Sequence, residues 1–274
     1  MTEVHDFDPF AKEVAYIRVN EKLIDRLLKR LEGKKVIRLL DVAAGTGLMT
    51  AIAFDRAKSA GAKIHSTLLD FDLPALFQAQ KEVDRGSCEF VYASADKLPF
   101  GERYDAVIFA NSIHMLDAKM KADALAESRR VLHPGGVLAI NSAFYEGSYP
   151  ESSKPFYGRW IRRSIVAMNK RRPERDKSDK VNAIDFLDGD GYAEMVEDAG
   201  FKIVERRERT VRLSQASVRA ISAYKEFAKG ALHATDEDAE DAVMALQETV
   251  QQAFRDLKMK YLPRHWLELI AVKV

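Results

Sequence analysis

An α/β fold on a parallel sheet is the class this sequence predicts, from three observations. Short apolar runs alternate with helical stretches along most of the chain. The first apolar run, VIRLLDVA (36–43), passes through AGTG (44–47) into a helix, a strand–tight turn–helix unit. An acidic residue, Asp70, closes the second apolar run, about 20 positions beyond the glycines.

The elements follow in order. Residues 11–32 place Val14, Ile17, Leu23, Ile24, Leu27, Leu28 and Leu31 at helical spacing, and Gly33 stops the run. The 36–43 run is nearly continuously apolar, as a strand buried on both faces requires. A helix over 48–60, a strand over 64–69, a helix over 73–84 and a strand over 88–93 come next. Then come YDAVIFAN (104–111), a helix over 118–131, the turn HPGG (133–136) and a strand over 137–144. This spacing makes βαβ units. Past residue 145 a polar, basic stretch runs to about 185. A helix (191–200) and a strand (201–213) resume the rhythm. Two helices, about 215–232 and 236–259, precede a closing apolar strand, 265–274. We read one domain over 1–274, with an N-terminal helical segment, 1–33, and two insertions, 145–188 and 214–262.

Composition narrows the function. The 274 residues carry 43 Lys+Arg against 42 Asp+Glu, a net charge of +1, with 47% hydrophobic residues. Disorder needs the opposite balance, and a general nucleic-acid binder carries a basic excess. No run approaches the roughly 18 apolar residues of a membrane span. The opening MTEVHDFDPFAKEV is acidic and lacks the apolar core of a secretory signal. Cys88 stands alone, so no intrachain disulfide or multi-cysteine metal site is expected. A cytoplasmic protein without a metal is the expectation.

Gly45 and Gly47 let the backbone turn sharply and let a ligand lie against main-chain N–H groups. The dinucleotide fingerprint wants a third glycine, and Thr50 stands there instead. Asp70, at a strand end, is placed to accept hydrogen bonds from both hydroxyls of a ribose. Together they suit an adenosine-containing ligand.

These segments resemble the class I S-adenosylmethionine-dependent methyltransferases, in the branch of quinone-biosynthesis and small-molecule enzymes. The matching stretches are LLDVAAGTG (39–47), LLDFDLPAL (68–76), ASADKLPF (93–100), YDAVIFANSIHML (104–116), ESRRVLHPGGVLAI (127–140) and EDAGF (197–201). The resemblance implies a Rossmann-like seven-stranded sheet, order 3-2-1-4-5-7-6, last strand antiparallel, with helical lid insertions. It implies S-adenosyl-L-methionine as cofactor and methyl transfer to oxygen, carbon or nitrogen of a small or medium organic acceptor. Asp41, Ala43, Gly45 and Gly47 match positions around the methionine end of the cofactor. Asp70 matches the ribose ligand, and Phe71 would pack on the adenine. The family often has an aspartate four residues before its L-P-F. Here Ser94 stands there, followed by Ala95, so adenine recognition would rest on the Ser94 hydroxyl, the Ala95 N–H and apolar packing. Asn111 matches a frequent cofactor or substrate contact.

Methyl transfer from a sulfonium is an in-line displacement, so position and exclusion of water matter most. A base helps only where the nucleophile must lose a proton. His114, just past the fourth strand, is the candidate base. Tyr145 and Glu146, after the fifth strand, and Tyr16, in the first helix, are candidate substrate contacts.

The insertions carry the substrate question. Residues 154–180 hold ten basic and three acidic residues, a local net of +7. A helix over about 156–169 is predicted there. Phe156, Tyr157 and Trp160 would line an apolar acceptor pocket. Arg159, Arg162 or Arg163 at its mouth would hold a carboxylate, a phosphate or an acidic carrier protein. The bland alternative is a solvated basic face balanced by acids such as Asp236–Asp241. The second insertion either extends the lid or forms a homodimer surface. Two other readings stand beside methyl transfer: a catalytically silent cofactor-binding scaffold or partner subunit, and a nicotinamide-dependent oxidoreductase.

Overall fold

Seven strands form one sheet: β1 (Val36–Val42), β2 (Lys63–Asp70), β3 (Cys88–Tyr92), β4 (Tyr104–Ala110), β5 (Leu132–Ser142), β6 (Phe201–Leu213) and β7 (Leu262–Lys273). Their order is β3-β2-β1-β4-β5-β7-β6. Strands β1 to β5 pair in parallel, and β7 lies antiparallel between β5 and β6. This is the sheet the resemblance implies. It is seen in a computed structural model that describes residues 6–83, 87–174 and 186–274.

Period-two alternation sends each strand's side chains to two layers. From β1, Ile37 and Leu39 enter one core with Leu23, Ile24 and Leu27 of helix α2 (Val14–Arg30) and Ala53 of α3 (Leu48–Ser59). Leu40 and Val42 enter the other, with Leu125 and Val131 of α5 (Ala118–Val131) and Tyr192 and Val196 of α7 (Gly189–Asp198). Helix α4 (Leu73–Glu82) covers the β2 edge through Leu76 and Ala79.

The two insertions meet each other. Helices α6 (Lys154–Arg171), α8 (Gln215–Ile221), α9 (Lys225–Leu232) and α10 (Ala239–Asp256), with the short α1 (Asp8–Ala11), share a third core. Phe156 and Trp160 of α6 are fully buried there against Leu246, Val250 and Phe254 of α10. The Trp160 indole N–H donates to the Leu246 carbonyl at 3.0 Å. The apolar stripe of α10 is thus spent inside the chain.

The basic face of α6 meets the acids of α10. Arg159 and Arg163 both pair with Asp256, Arg171 with Glu248 at 2.6 Å, and Arg172 with Asp241 at 2.7 Å. The rest of the basic run, from Arg175 to Lys180, lies outside the described residues.

Three elements depart from the sequence reading. The helix expected over 11–32 starts at Val14, because Glu13 is extended and its carboxylate accepts from the Ser217 hydroxyl at 2.7 Å, and a short separate helix ends at Ala11. The helix expected over 215–232 breaks before an extended Tyr224, whose ring packs edge-on to Phe7 at 5.3 Å. The HPGG turn is a bulge within β5: Tyr104 faces Leu132, while Ala106 faces Val137.

Glu268 on β7 is 1% exposed, and Arg26 of α2 and Arg209 of β6 bond its carboxylate at 2.5 and 2.7 Å.

Candidate active site

The carboxyl ends of β1, β2 and β4 open into a cavity of about 540 Å³, where ligands bind in open α/β sheets. Two features of β1 and its turn shape its floor. Ala43 takes a left-handed φ of 53°, and so does Asn111 at the end of β4, with φ 52°. Non-glycine residues held there cost of order 1–3 kcal/mol and concentrate at functional sites. Gly45, with φ 54°, has open space where a Cβ would stand, and its N–H donates to Asp70 at 2.7 Å. Gly47 does different work. A Cβ on it would meet Leu68 at 3.0 Å and Val83 at 3.2 Å, so it seats α3 against β2 and the end of α4 and does not line the cavity.

Asp41 is the buried charge of the floor. One carboxylate oxygen accepts from both the backbone N–H (3.1 Å) and the hydroxyl (2.8 Å) of Thr50. The Thr50 hydroxyl is itself 3.1 Å from that of Ser66. Burial pushes the Asp41 carboxyl up to about 7; the Thr50 bonds oppose this, and Asp70 adds to it. A carboxylate held this way favours a cationic neighbour. Thr50 therefore explains the missing third glycine, because its side chain fixes Asp41.

Asp70 is 6% exposed and accepts from the Gly45 N–H at 2.7 Å and the Asp72 N–H at 2.8 Å. Burial raises its pKa also, against those backbone bonds. It pins the glycine turn while lining the cavity.

A polar network runs along the β4–β5 edge. The Asn111 amide donates to the Tyr16 hydroxyl at 3.0 Å, and that of Asn141 to Asn20 at 2.8 Å. Burial raises the Tyr16 pKa, so the phenol is neutral. The Asn111 side-chain carbonyl oxygen and the Ser112 hydroxyl are buried, line the cavity and have no hydrogen-bond partner among the described residues. Buried polar atoms normally find one, so these await groups from a ligand.

Phe71 is 64% exposed at the rim. Ser94 and Ala95 line the wall, and the Ser94 hydroxyl donates to Asp96. The displaced acid therefore reaches the cavity through Ser94.

His114 lies in the 3₁₀ turn Ile113–Met115 and faces the cavity, 6% exposed. Its ring stacks on Phe144 at 4.5 Å, and Nδ1 is 3.5 Å from the Ser142 hydroxyl. Burial, then Arg264 and Lys121, push its pKa down to about 3. The imidazole is neutral.

The structure thus brings Tyr16, Asp41, Ala43, Gly45, Asp70, Phe71, Ser94, Ala95, Asn111 and His114 to one cavity. It places the rest elsewhere. The Ser142 hydroxyl bonds both the N–H and the carbonyl of Phe144, folding the chain back after β5. Phe144 consequently faces the cavity, while Tyr145 is buried beneath it and donates to Glu208 at 2.7 Å. Glu146 is exposed, outside the cavity lining. Phe156, Tyr157 and Trp160 are core residues of the helical unit, and Arg159 is tied to Asp256, so none of the four walls this cavity. The aromatic face of α6 packs on its partner helix and not on this cavity, as an amphipathic helix with a partner does, and Tyr157 and Trp160 line a smaller space behind the cavity wall.

Sequence reasoning missed Thr50, Phe144, Phe7 and Tyr224, all at or behind the cavity wall. Thr50 was findable, standing one helical turn past Gly47. Phe7 and Tyr224 come from segments some 200 residues apart, and no local pattern joins them.

An open α/β sheet with a glycine turn and two buried carboxylates at its carboxyl edge is an arrangement in which such sheets bind ligands. Residues 39–136 match the methyltransferase domain family. The chain is 36% identical over 138 residues to the ubiquinone/menaquinone biosynthesis C-methyltransferase UbiE of Sinorhizobium fredii, covering 48% of this chain and 51% of that one. It is 32% identical over 141 residues to the malonyl-[acyl-carrier protein] O-methyltransferase of Geobacter sulfurreducens, covering 50% of each. The chain thus spans about half the length of these curated relatives. Among solved structures, a putative methyltransferase from Bacillus halodurans superposes with a TM-score of 0.55 at 17% identity, over 91% of this chain and 98% of that one. That likeness shows the fold.

Proposed function

We propose that this chain binds S-adenosyl-L-methionine and transfers its methyl group to a small or medium organic acceptor with apolar surface. The observation that carries the reading is the cavity floor: Asp41 and Asp70 buried at the ends of adjacent strands, with the glycine turn between them. The residues fit this cofactor. The unpartnered Asn111 carbonyl and the Asp41 carboxylate suit its cationic methionine end. Asp70, still able to accept further bonds, suits ribose hydroxyls. Phe71, Ser94 and Ala95 line the side an adenine would take. When bound, this cofactor supplies the methyl group already activated as a sulfonium.

The protein's own part is position and dryness. Tyr16, Phe144 and Tyr224 wall the cavity with rings, and Asn111 and Tyr16 fix each other. Neutral His114 is suited to accept a hydrogen bond from the acceptor's O–H or N–H and so hold the accepting atom. With its pKa near 3 it is poorly suited to keep the proton. We therefore expect His114→Ala to lower turnover about tenfold with the pH profile unchanged in shape. A loss of a hundredfold or more, with the acid limb moved, would instead mark the general base it resembles in sequence.

The nicotinamide reading fits less well. A dinucleotide lays its pyrophosphate on this turn, and Asp41 would oppose that negative charge. The names of the two relatives span carbon and oxygen acceptors, so the proposal extends to the methyl transfer they share. Incubating the protein with methyl-labelled S-adenosylmethionine and a cell extract tests it. Label entering a small-molecule fraction supports it. Cofactor binding with no transfer to any fraction supports the silent-scaffold reading instead. Arg159, Arg163 and Arg171, engaged with α10, favour a small acceptor over an acidic carrier.

A further inference from the structure

Behind the cavity wall lies a second, smaller chamber of about 20 Å³, lined in part by Phe144, Tyr157, Trp160, Arg264 and Trp266. Phe144 lines both spaces, so its ring is the wall they share. The chamber is rich in donors. Arg264 is 4% exposed and gives two bonds to the Ala143 carbonyl, at 2.9 and 2.5 Å, and one to the Tyr157 hydroxyl, at 3.2 Å. Its guanidinium lies 3.9 Å from the Tyr149 ring centroid and 5.0 Å from that of Phe144. All these partners are neutral. Among the described residues no carboxylate lies within ion-pair distance of it, whereas Arg26 and Arg209 share the buried Glu268. Two residues along β7, Trp266 is 1% exposed and its indole N–H has no hydrogen-bond partner among the described residues.

A buried cation without a counter-charge and an orphaned N–H donor, in one apolar chamber, describe a site that lacks an anionic acceptor. We propose that this chamber receives the carboxylate of an apolar carboxylic acid, which is the methyl acceptor of the reading above. The carboxylate meets Arg264 and Trp266. The Phe144 ring rotates out of the shared wall to admit it, since the closed chamber holds about one water. The rest of the molecule then extends past Phe144 toward His114. Charge-assisted bonds to a guanidinium are strong and directional, so Arg264 would select acids over neutral analogues.

Trp160 and Trp266 are the two tryptophans of the chain, and both line the chamber. Their emission therefore reports its occupancy. Octanoate and 3-phenylpropanoate are titrated against their primary amides, with and without S-adenosylhomocysteine. The acids should give a saturable emission change and bind at least tenfold tighter than the amides. Arg264→Gln should bring that preference to about unity, and Trp266→Phe should weaken acid binding severalfold with Trp160 still reporting. Equal binding of acid and amide, no binding of either, or acid binding without an emission change overturns the proposal. Should Arg264→Gln unfold, the wild-type comparison and Trp266→Phe decide alone. Failure of S-adenosylhomocysteine to bind would fell the methyl-transfer reading instead, and the titrations on unliganded protein would still judge the chamber.

Discussion

Asp41→Asn should stabilise the unliganded protein and cripple ligand binding at the same time. The folded carboxyl titrates near 7, driven up by burial, against an ordinary value of 3.8. A raised folded pKa means full stability below about 4, lost progressively as pH rises through 7. The amide keeps an oxygen for the two Thr50 donors and removes the charge. The variant's advantage over wild type should therefore be absent near pH 4, grow up to about pH 7 and then level off. At about 1.4 kcal/mol per pKa unit the plateau is at most ~4 kcal/mol. Thermal melts at pH 4, 6 and 8 read this directly. His114 runs the other way. Its depressed pKa makes folding lose stability as pH falls from 6.5 toward 3, so the wild-type profile partly hides both groups. Binding of a cationic ligand should weaken by roughly 10- to 100-fold, the value of one charged hydrogen bond. A variant that binds normally with an unchanged pH profile would remove Asp41 from the site.

Glu268→Ala should cost the fold about 3 kcal/mol, because it takes the buried carboxylate from Arg209 and leaves Arg26 with Glu205 alone. For a chain of this size that lowers the melting temperature by roughly 10 °C. Replacing the carboxylate alone is the informative case. Replacing Glu268, Arg26 and Arg209 together with apolar residues should recover much of the loss, since an ion cluster taken from water contributes little net stability. The triple variant losing as much as Glu268→Ala would refute this account of the cluster.

The parallel core was legible because each buried strand is a short apolar run, and each following helix starts at a turn. Asp41, Gly45 and Asp70 could be found for the same reason, as they sit at fixed offsets from strand ends. The helical insertions were read less well. The apolar stripe of α6 looks alike whether it faces a ligand or a helix. Only the meeting of α6 with α10, some 80 residues away, turned Phe156 and Trp160 into core. The same pairing answered the basic run with Asp256, Glu248 and Asp241. Arg264 and Trp266 looked like ordinary strand residues, because what distinguishes them, a buried cation bonded to uncharged groups and an indole N–H without an acceptor among the described residues, exists only in three dimensions.

On the reading proposed above, this cavity takes an adenosyl sulfonium ligand. Calorimetry with S-adenosylmethionine, S-adenosylhomocysteine and NADH tests it most directly. Our account predicts saturable one-site binding of the first two, lost or greatly weakened in Asp41→Asn, and none of NADH. Binding of NADH in their place, or of none of the three by a folded protein, would contradict it.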